Sequence, residues 1–212
     1  GRMDYFDILF VKGGGIGWLL WGLSVVTVAI CVQYFIQIRR TTILPPTLVD
    51  QVRGFFDQKQ YREAIEATEA DPSFLGYVVH AALAEASHGY PAMERAMEEA
   101  AEERTTRLLR NIEWLNLIGN ISPMLGLLGT VWGMINAFFE IVAAGGTPQA
   151  DKLAGSIGIA LVTTLLGLCV AIPALAVYAF MRGRIDSLSS EALVSAQELI
   201  STFRPGRKGA AE

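Results

Sequence analysis

Thr130, Thr163 and Thr164 are the side chains best placed for chemistry in this chain, because each sets a hydroxyl deep inside a long apolar stretch. Such hydroxyls can coordinate or relay a cation. Carrying a proton through a membrane further requires a titratable or coordinating group at mid-depth, usually Asp, Glu or His. The chain supplies none there. Glu140 falls near the outer mouth if Arg110 marks the inner surface, given a rise of about 1.5 Å per residue and a hydrocarbon core of about 30 Å. If ions pass, the carboxylate must come from another chain. No nucleophile with a base, no paired carboxylates and no phosphate-binding glycine loop can be assembled, so an enzyme is not expected. His80 and His88 lie eight apart without a third ligand at metal spacing, so no metal and no cofactor is expected. Cys31 and Cys169 sit inside apolar stretches and read as small hydrophobes.

The stretch from Leu115 to Ala144 must position Thr130. Residues alternating by three and four share one helix face, and those so spaced are Gly119, Ser122, Gly126, Gly129, Gly133, Asn136 and Glu140. Thr130 borders that face, while Leu117, Leu125, Leu128, Val131, Ile135 and Phe138 fill the others. Small residues allow close helix approach in a membrane, and polar ones there require a partner helix or water. Close packing alone would produce the same stripe. The other threonines lie on a second seam of Ser156, Ala160, Thr163, Gly167, Ala171, Ala174 and Tyr178, with Thr164 four after Ala160. Pro123 and Pro173 each remove a backbone donor and place a helix bend inside the membrane. A hairpin with both seams facing a shared interior is the simplest arrangement.

Three stretches exceed the roughly 18 apolar residues that mark a membrane span. Arg39 and Arg40 follow the first, Arg104, Arg107 and Arg110 precede the second, and Arg182 and Arg184 follow the third. The opposite ends carry little positive charge, so the N-terminus is expected outside and the C-terminus inside. The expected organisation is an outer amphipathic segment over 1–16, then spans over 17–38, 114–144 and 153–181. A cytoplasmic helical domain over 39–113, an outer loop over 145–152 and a cytoplasmic helix and tail over 182–212 complete it. The first span, about Gly17 to Ile38, is too long for a signal peptide and lacks a basic start and a small-residue cleavage site close behind it. It has the interfacial aromatics Trp18 and Trp21 and reads as a peripheral, lipid-facing helix. A net charge of −4 without a basic patch argues against nucleic acid.

Below the membrane the pattern is a small helical bundle. Pro45-Pro46 breaks the chain, Thr47 can cap a helix bearing Leu48, Val52, Phe55 and Phe56, and a second helix runs from Tyr61 to Ala70. Ser73 can cap a third reaching about His88, closed by Gly89. No breaker separates Pro91 from Pro123, so that helix should continue into the second span. After Arg184 a further amphipathic helix presents Ile185, Leu188, Ala192, Ser195 and Leu199 until Pro205.

Ser122 to Met134 reads Ser-Pro-Met-Leu-Gly-Leu-Leu-Gly-Thr-Val-Trp-Gly-Met, and Ala160 to Leu168 reads Ala-Leu-Val-Thr-Thr-Leu-Leu-Gly-Leu, followed by Ala-Ile-Pro-Ala at Ala171 to Ala174. Both resemble the signature of the MotA/TolQ/ExbB proton channel family, in its ExbB/TolQ-like branch. The resemblance implies an all-α integral membrane protein with three transmembrane helices and long cytoplasmic helical extensions, in the bacterial inner membrane. It further implies a homopentameric ring around two single-span helices of an ExbD/TolR/MotB-type partner that supplies an essential Asp. Thr130 and Thr164 correspond to the family's pore threonines. Ion-pathway residues are then Thr130, Thr163 and Thr164, with Ser122, Gly126, Gly129, Gly133, Asn136, Ala160, Gly167 and Ala171 packing the partner helix and Glu140 at the periplasmic mouth. One departure is Ile159, where ExbB-like members often carry Glu.

The implied function is that of a stator subunit that converts proton flow into mechanical work for outer-membrane transport or envelope maintenance. A flagellar or gliding-type stator and a non-conducting oligomeric scaffold are the alternatives. A small-solute transporter is weaker, for want of an inverted repeat or a substrate-binding charge.

Overall fold

A computed structural model describes residues 14–145 and 150–204, and every described regular element is helical. The expected outer amphipathic segment, part of the 145–152 loop and the basic end beyond Pro205 lie outside the described residues. The elements are α1 (Gly14–Gln37), α2 (Arg40–Ile43), α3 (Pro46–Asp57), α4 (Tyr61–Ala70), α5 (Phe74–Ala84), α6 (Tyr90–Ala143) and α7 (Ala150–Ile200). Single 3-10 turns at Ala86–His88 and Ser201–Phe203 punctuate them. Three helices, α1, α6 and α7, are long and apolar enough to cross a membrane.

Helix α6 runs 54 residues and α7 runs 51, each uninterrupted through its proline, Pro123 or Pro173. A proline costs one ladder bond, which the remaining bonds of so long a helix absorb. Both helices contribute residues to two compact units.

The first unit comprises, of the described residues, 14–33, 113–145 and 150–180. Ile118, Val170 and Ala174 form its buried centre, with Leu23 and Ile30 of α1 packed against them. Thr27 is buried on α1 and returns its hydroxyl to the Leu23 carbonyl at 2.7 Å, so it adds no unsatisfied polar group. Val25, Val28, Met124, Leu128, Trp132, Phe138, Leu161 and Ile172 are exposed. Large apolar side chains outward and small ones inward is the distribution that lipid, as solvent, selects.

The second unit comprises residues 34–112 and 181–204. Helix α5 buries Phe74, Leu75, Val78, Val79, Ala82 and Leu83, which covers most of its circumference and makes it a core helix. Helices α4 and α2 pack against it, while α3 buries Leu48, Val52 and Phe56, and α7 buries Ile185, Leu188, Ala192 and Leu199. Phe203 meets Phe56 edge-on at 5.2 Å and Tyr61 at 5.4 Å, closing the end of α7 over α3. Arg53 pairs with Glu198 at 3.0 Å, Arg40 pairs with Glu191, and the Arg184 Nε donates to the Ile38 carbonyl at 3.0 Å.

Two local expectations are corrected. Thr47 does not cap α3; Pro45 occupies the cap position and Pro46 the first turn, where its fixed φ and missing N–H cost nothing. The helix after Ser73 ends at Ala84 rather than His88, and a 3-10 turn bridges to Gly89, whose φ of 90° is a left-handed conformation that favours glycine. Ser73 itself caps as its type dictates, its Oγ accepting from the Gly76 N–H at 3.0 Å.

Candidate functional site

The hairpin of α6 and α7 gathers the residues singled out by spacing. A Cβ built on Gly126 would stand 3.0 Å from the Thr163 carbonyl oxygen and from the Thr164 Cα. On Gly129 it would meet the Thr163 Cβ at 2.6 Å, on Gly133 the Ala160 Cβ at 2.7 Å, and on Gly167 the Ser122 carbonyl oxygen at 2.6 Å. These four glycines are therefore where one backbone lies directly against the other helix. Sequence spacing also marked Gly119 as part of the stripe; its neighbour is Leu175, with Cδ2 2.6 Å from a built Cβ.

The hydroxyls divide by burial. Ser122 is fully buried and donates to the Ile118 carbonyl at 2.6 Å; Thr163 is 2% exposed and donates to the Ala160 carbonyl at 2.8 Å. Both are satisfied within their own helix and enclosed by the hairpin. Thr164 is half-buried, and its hydroxyl crosses to the Gly126 carbonyl at 3.1 Å. Thr130, also half-buried, donates to the Leu127 carbonyl at 2.6 Å. Each of these two hydroxyls retains lone pairs that can accept from water or ligate a cation.

Ala160 and Ala171 are buried in the hairpin, whereas Asn136 is exposed. Pro123 is half-buried and Pro173 exposed. Glu140 is exposed and accepts from the Ser156 hydroxyl at 3.3 Å, tying the ends of the two seams together. Ile159, in place of an acidic residue, is half-buried.

A polar row escaped the reading by spacing. The Asn120 Nδ2 donates to the Asn116 Oδ1 at 2.9 Å, the Asn116 Nδ2 donates to the Glu113 Oε1 at 2.6 Å, and the Tyr178 hydroxyl donates to the Glu113 Oε2 at 3.3 Å. Its signal was present as Glu113, Asn116 and Asn120 at steps of three and four. By spacing alone Glu113 is only the last residue of the 39–113 segment.

Comparison with known proteins agrees with this architecture. The MotA/TolQ/ExbB proton channel family profile matches residues 69–192, which includes both faces of the hairpin. The chain is 30% identical over 191 residues to the biopolymer transport protein ExbB of Xanthomonas campestris pv. campestris strain B100, covering 82% of this chain and 75% of that one. It is 32% identical over 205 residues to the biopolymer transport protein ExbB of Salmonella typhimurium, covering 88% and 78%. To the Tol-Pal system protein TolQ of Haemophilus influenzae it is 34% identical over 99 residues, covering 46% and 42%. With its three apolar helices and its threonine- and glycine-lined hairpin, the chain is a multi-pass membrane protein that belongs to the MotA/TolQ/ExbB proton channel family, on the ExbB/TolQ-like side.

Proposed function

We propose that this chain is the ring-forming subunit of an inner-membrane motor that uses proton flow to do mechanical work for outer-membrane transport or envelope maintenance. Five copies surround two single-span helices of an ExbD/TolR-type partner, and each partner helix brings the Asp that this chain lacks. The N-terminus lies on the periplasmic side and the C-terminus in the cytoplasm, as the arginines flanking the spans require. The observation that carries the reading is the pair of half-buried hydroxyls, Thr130 and Thr164, on a hairpin whose remaining contact surface is closed by glycines. A hydroxyl that can accept and donate is the element needed to hand a proton to a neighbouring carboxylate. Thr163 supports the path by fixing the rotation of α7 against Gly129.

Native mass spectrometry of the chain in mild detergent, alone and co-expressed with the single-span, Asp-bearing protein, tests the architecture. A homopentamer that takes up two partner chains is expected. A monomer or dimer indifferent to the partner would remove the shared interior on which the path depends.

One observation favours a second reading, a structural scaffold that does not conduct. The Thr130 and Thr163 hydroxyls are already satisfied by carbonyls of their own helix. That reading requires valine to be tolerated at 130 and 164 without loss of function.

A further inference from the structure

We propose that Glu113, Asn116, Asn120 and Tyr178 form the inner, water-filled entrance of the ion path, a cation vestibule that feeds the Thr130 and Thr164 level. The inference rests on the motor reading above.

The first ground is depth. With the span starting at residue 114, Asn116 stands roughly 3 Å and Asn120 roughly 9 Å along the helix inside a hydrocarbon core of about 30 Å. Asn120 is exposed and Asn116 half-buried on the chain. An amide facing hydrocarbon loses hydrogen bonds that nothing there replaces. This edge of α6 therefore faces water or protein.

The second is alignment. Asn116, Asn120, Pro123, Leu127 and Thr130 follow one another at steps of four, three, four and three, so the amides and the threonine share one edge of α6. On α7, Thr164, Ala171 and Tyr178 are seven apart and share a face as well. Pro123, between the amides and Thr130, has no N–H and so frees the Gly119 carbonyl from the helix ladder.

The third is direction. The hydrogen bonds run in relay toward Glu113: Asn120 donates to Asn116 at 2.9 Å, Asn116 to Glu113 at 2.6 Å, and Tyr178 to Glu113 at 3.3 Å. The Asn120 amide also donates to the Asn116 carbonyl at 2.7 Å. The Glu113 carboxylate is thus held at the mouth by a donor on each oxygen, and acceptor oxygens continue along the row toward Thr130. A fixed negative charge at the mouth of a narrow, low-dielectric path concentrates cations there. Contact between copies alone would need neither the carboxylate nor its alignment with the threonines.

The full chain, co-expressed with its single-span partner, is placed in lipid vesicles loaded with a pH-sensitive dye, and proton flux is read at low and high salt. Glu113→Gln keeps the shape and one acceptor oxygen, for the Asn116 amide, but removes the charge. It is expected to cut flux about tenfold at low salt, with the oligomer unchanged by native mass spectrometry. High salt, which shortens the Debye length from about 30 Å at 0.01 M to about 3 Å at 1 M, should bring wild-type flux down toward that of the variant and leave the variant unaffected. Asn120→Leu should abolish flux with assembly intact. Wild-type flux in both variants overturns this inference alone. So does loss of the oligomer in Asn120→Leu with normal flux in Glu113→Gln, which would assign the row to a contact between copies. A wild-type complex without flux overturns the motor reading as well.

Discussion

The Thr164 hydroxyl of α7 reaches the Gly126 carbonyl of α6 at 3.1 Å, and Gly126 is also a position where a Cβ would stand 3.0 Å from the Thr164 Cα. The bond and the missing side chain depend on one another. A methyl group on α6 would push α7 away and break the hydrogen bond.

Gly126→Ala and Gly167→Ala should therefore each destabilise the hairpin by about 1–3 kcal/mol, the usual cost of forcing extra methyls into a filled contact. Backbone atoms, which cannot rotate aside, are what the new Cβ meets at both sites. Gly158→Ala, with nothing within 4 Å of its built Cβ, should be neutral or mildly stabilising through helix propensity. Thermal midpoints in detergent separate the two classes.

Thr164→Val removes one interhelical hydrogen bond, worth about 0.6 kcal/mol on average in a membrane protein. That is too little to dismantle the complex. Loss of proton flux in Thr130→Val and Thr164→Val, with assembly intact, is expected. Thr163→Val should keep its flux, because that hydroxyl is 2% exposed and bonded to Ala160 within its own helix. Tolerance of valine at all three positions would favour the scaffold.

Ser73→Ala should cost about 1 kcal/mol by leaving the Gly76 N–H at the start of α5 without its acceptor. Gly76→Ala should cost more, since its Cβ would lie 2.8 Å from the Asp71 carbonyl oxygen. Hydrogen exchange in the first turn of α5 reports both.

Tyr77 donates to the Glu103 Oε2 at 2.9 Å, and that hydrogen bond raises its hydroxyl above the usual value of about 10, with lesser help from burial and the Glu103 charge. The Arg104 guanidinium, 4.2 Å above the ring, opposes the shift. A folded-state value above the unfolded one means stability that is complete below about pH 10 and lost as pH rises through the folded value. Wild type should accordingly lose stability more steeply than Tyr77→Phe in alkaline titration, followed by helical circular dichroism above pH 10.

Much of this was legible in the residues. Asp71-Pro72 ends α4 at Ala70 where a breaker must, and the absence of any breaker from Pro91 to Pro123 carries α6 into its apolar half. The glycine stripe was visible because a period between three and four is also the period of close contact. What spacing could not supply was rotation. Thr130, Thr163 and Thr164 look alike along the chain, and only the setting of α7 against Gly129 encloses one of them while leaving the others at the edge. The return of Phe203 onto Phe56 and Tyr61 was equally silent, since it joins residues more than a hundred positions apart. The polar row was missed for a different reason. Charged and amide residues near a span boundary read as solvated until their hydrogen bonds are seen to converge.

The glycine contacts have a mechanical meaning. With no spare volume between α6 and α7, neither membrane segment can roll about its axis without driving backbone into backbone. The hairpin is a stiff stave. It cannot open along its own seam, so any gating must come from slippage at its outer edges, where the half-buried threonines lie, and force delivered to one span is delivered to both.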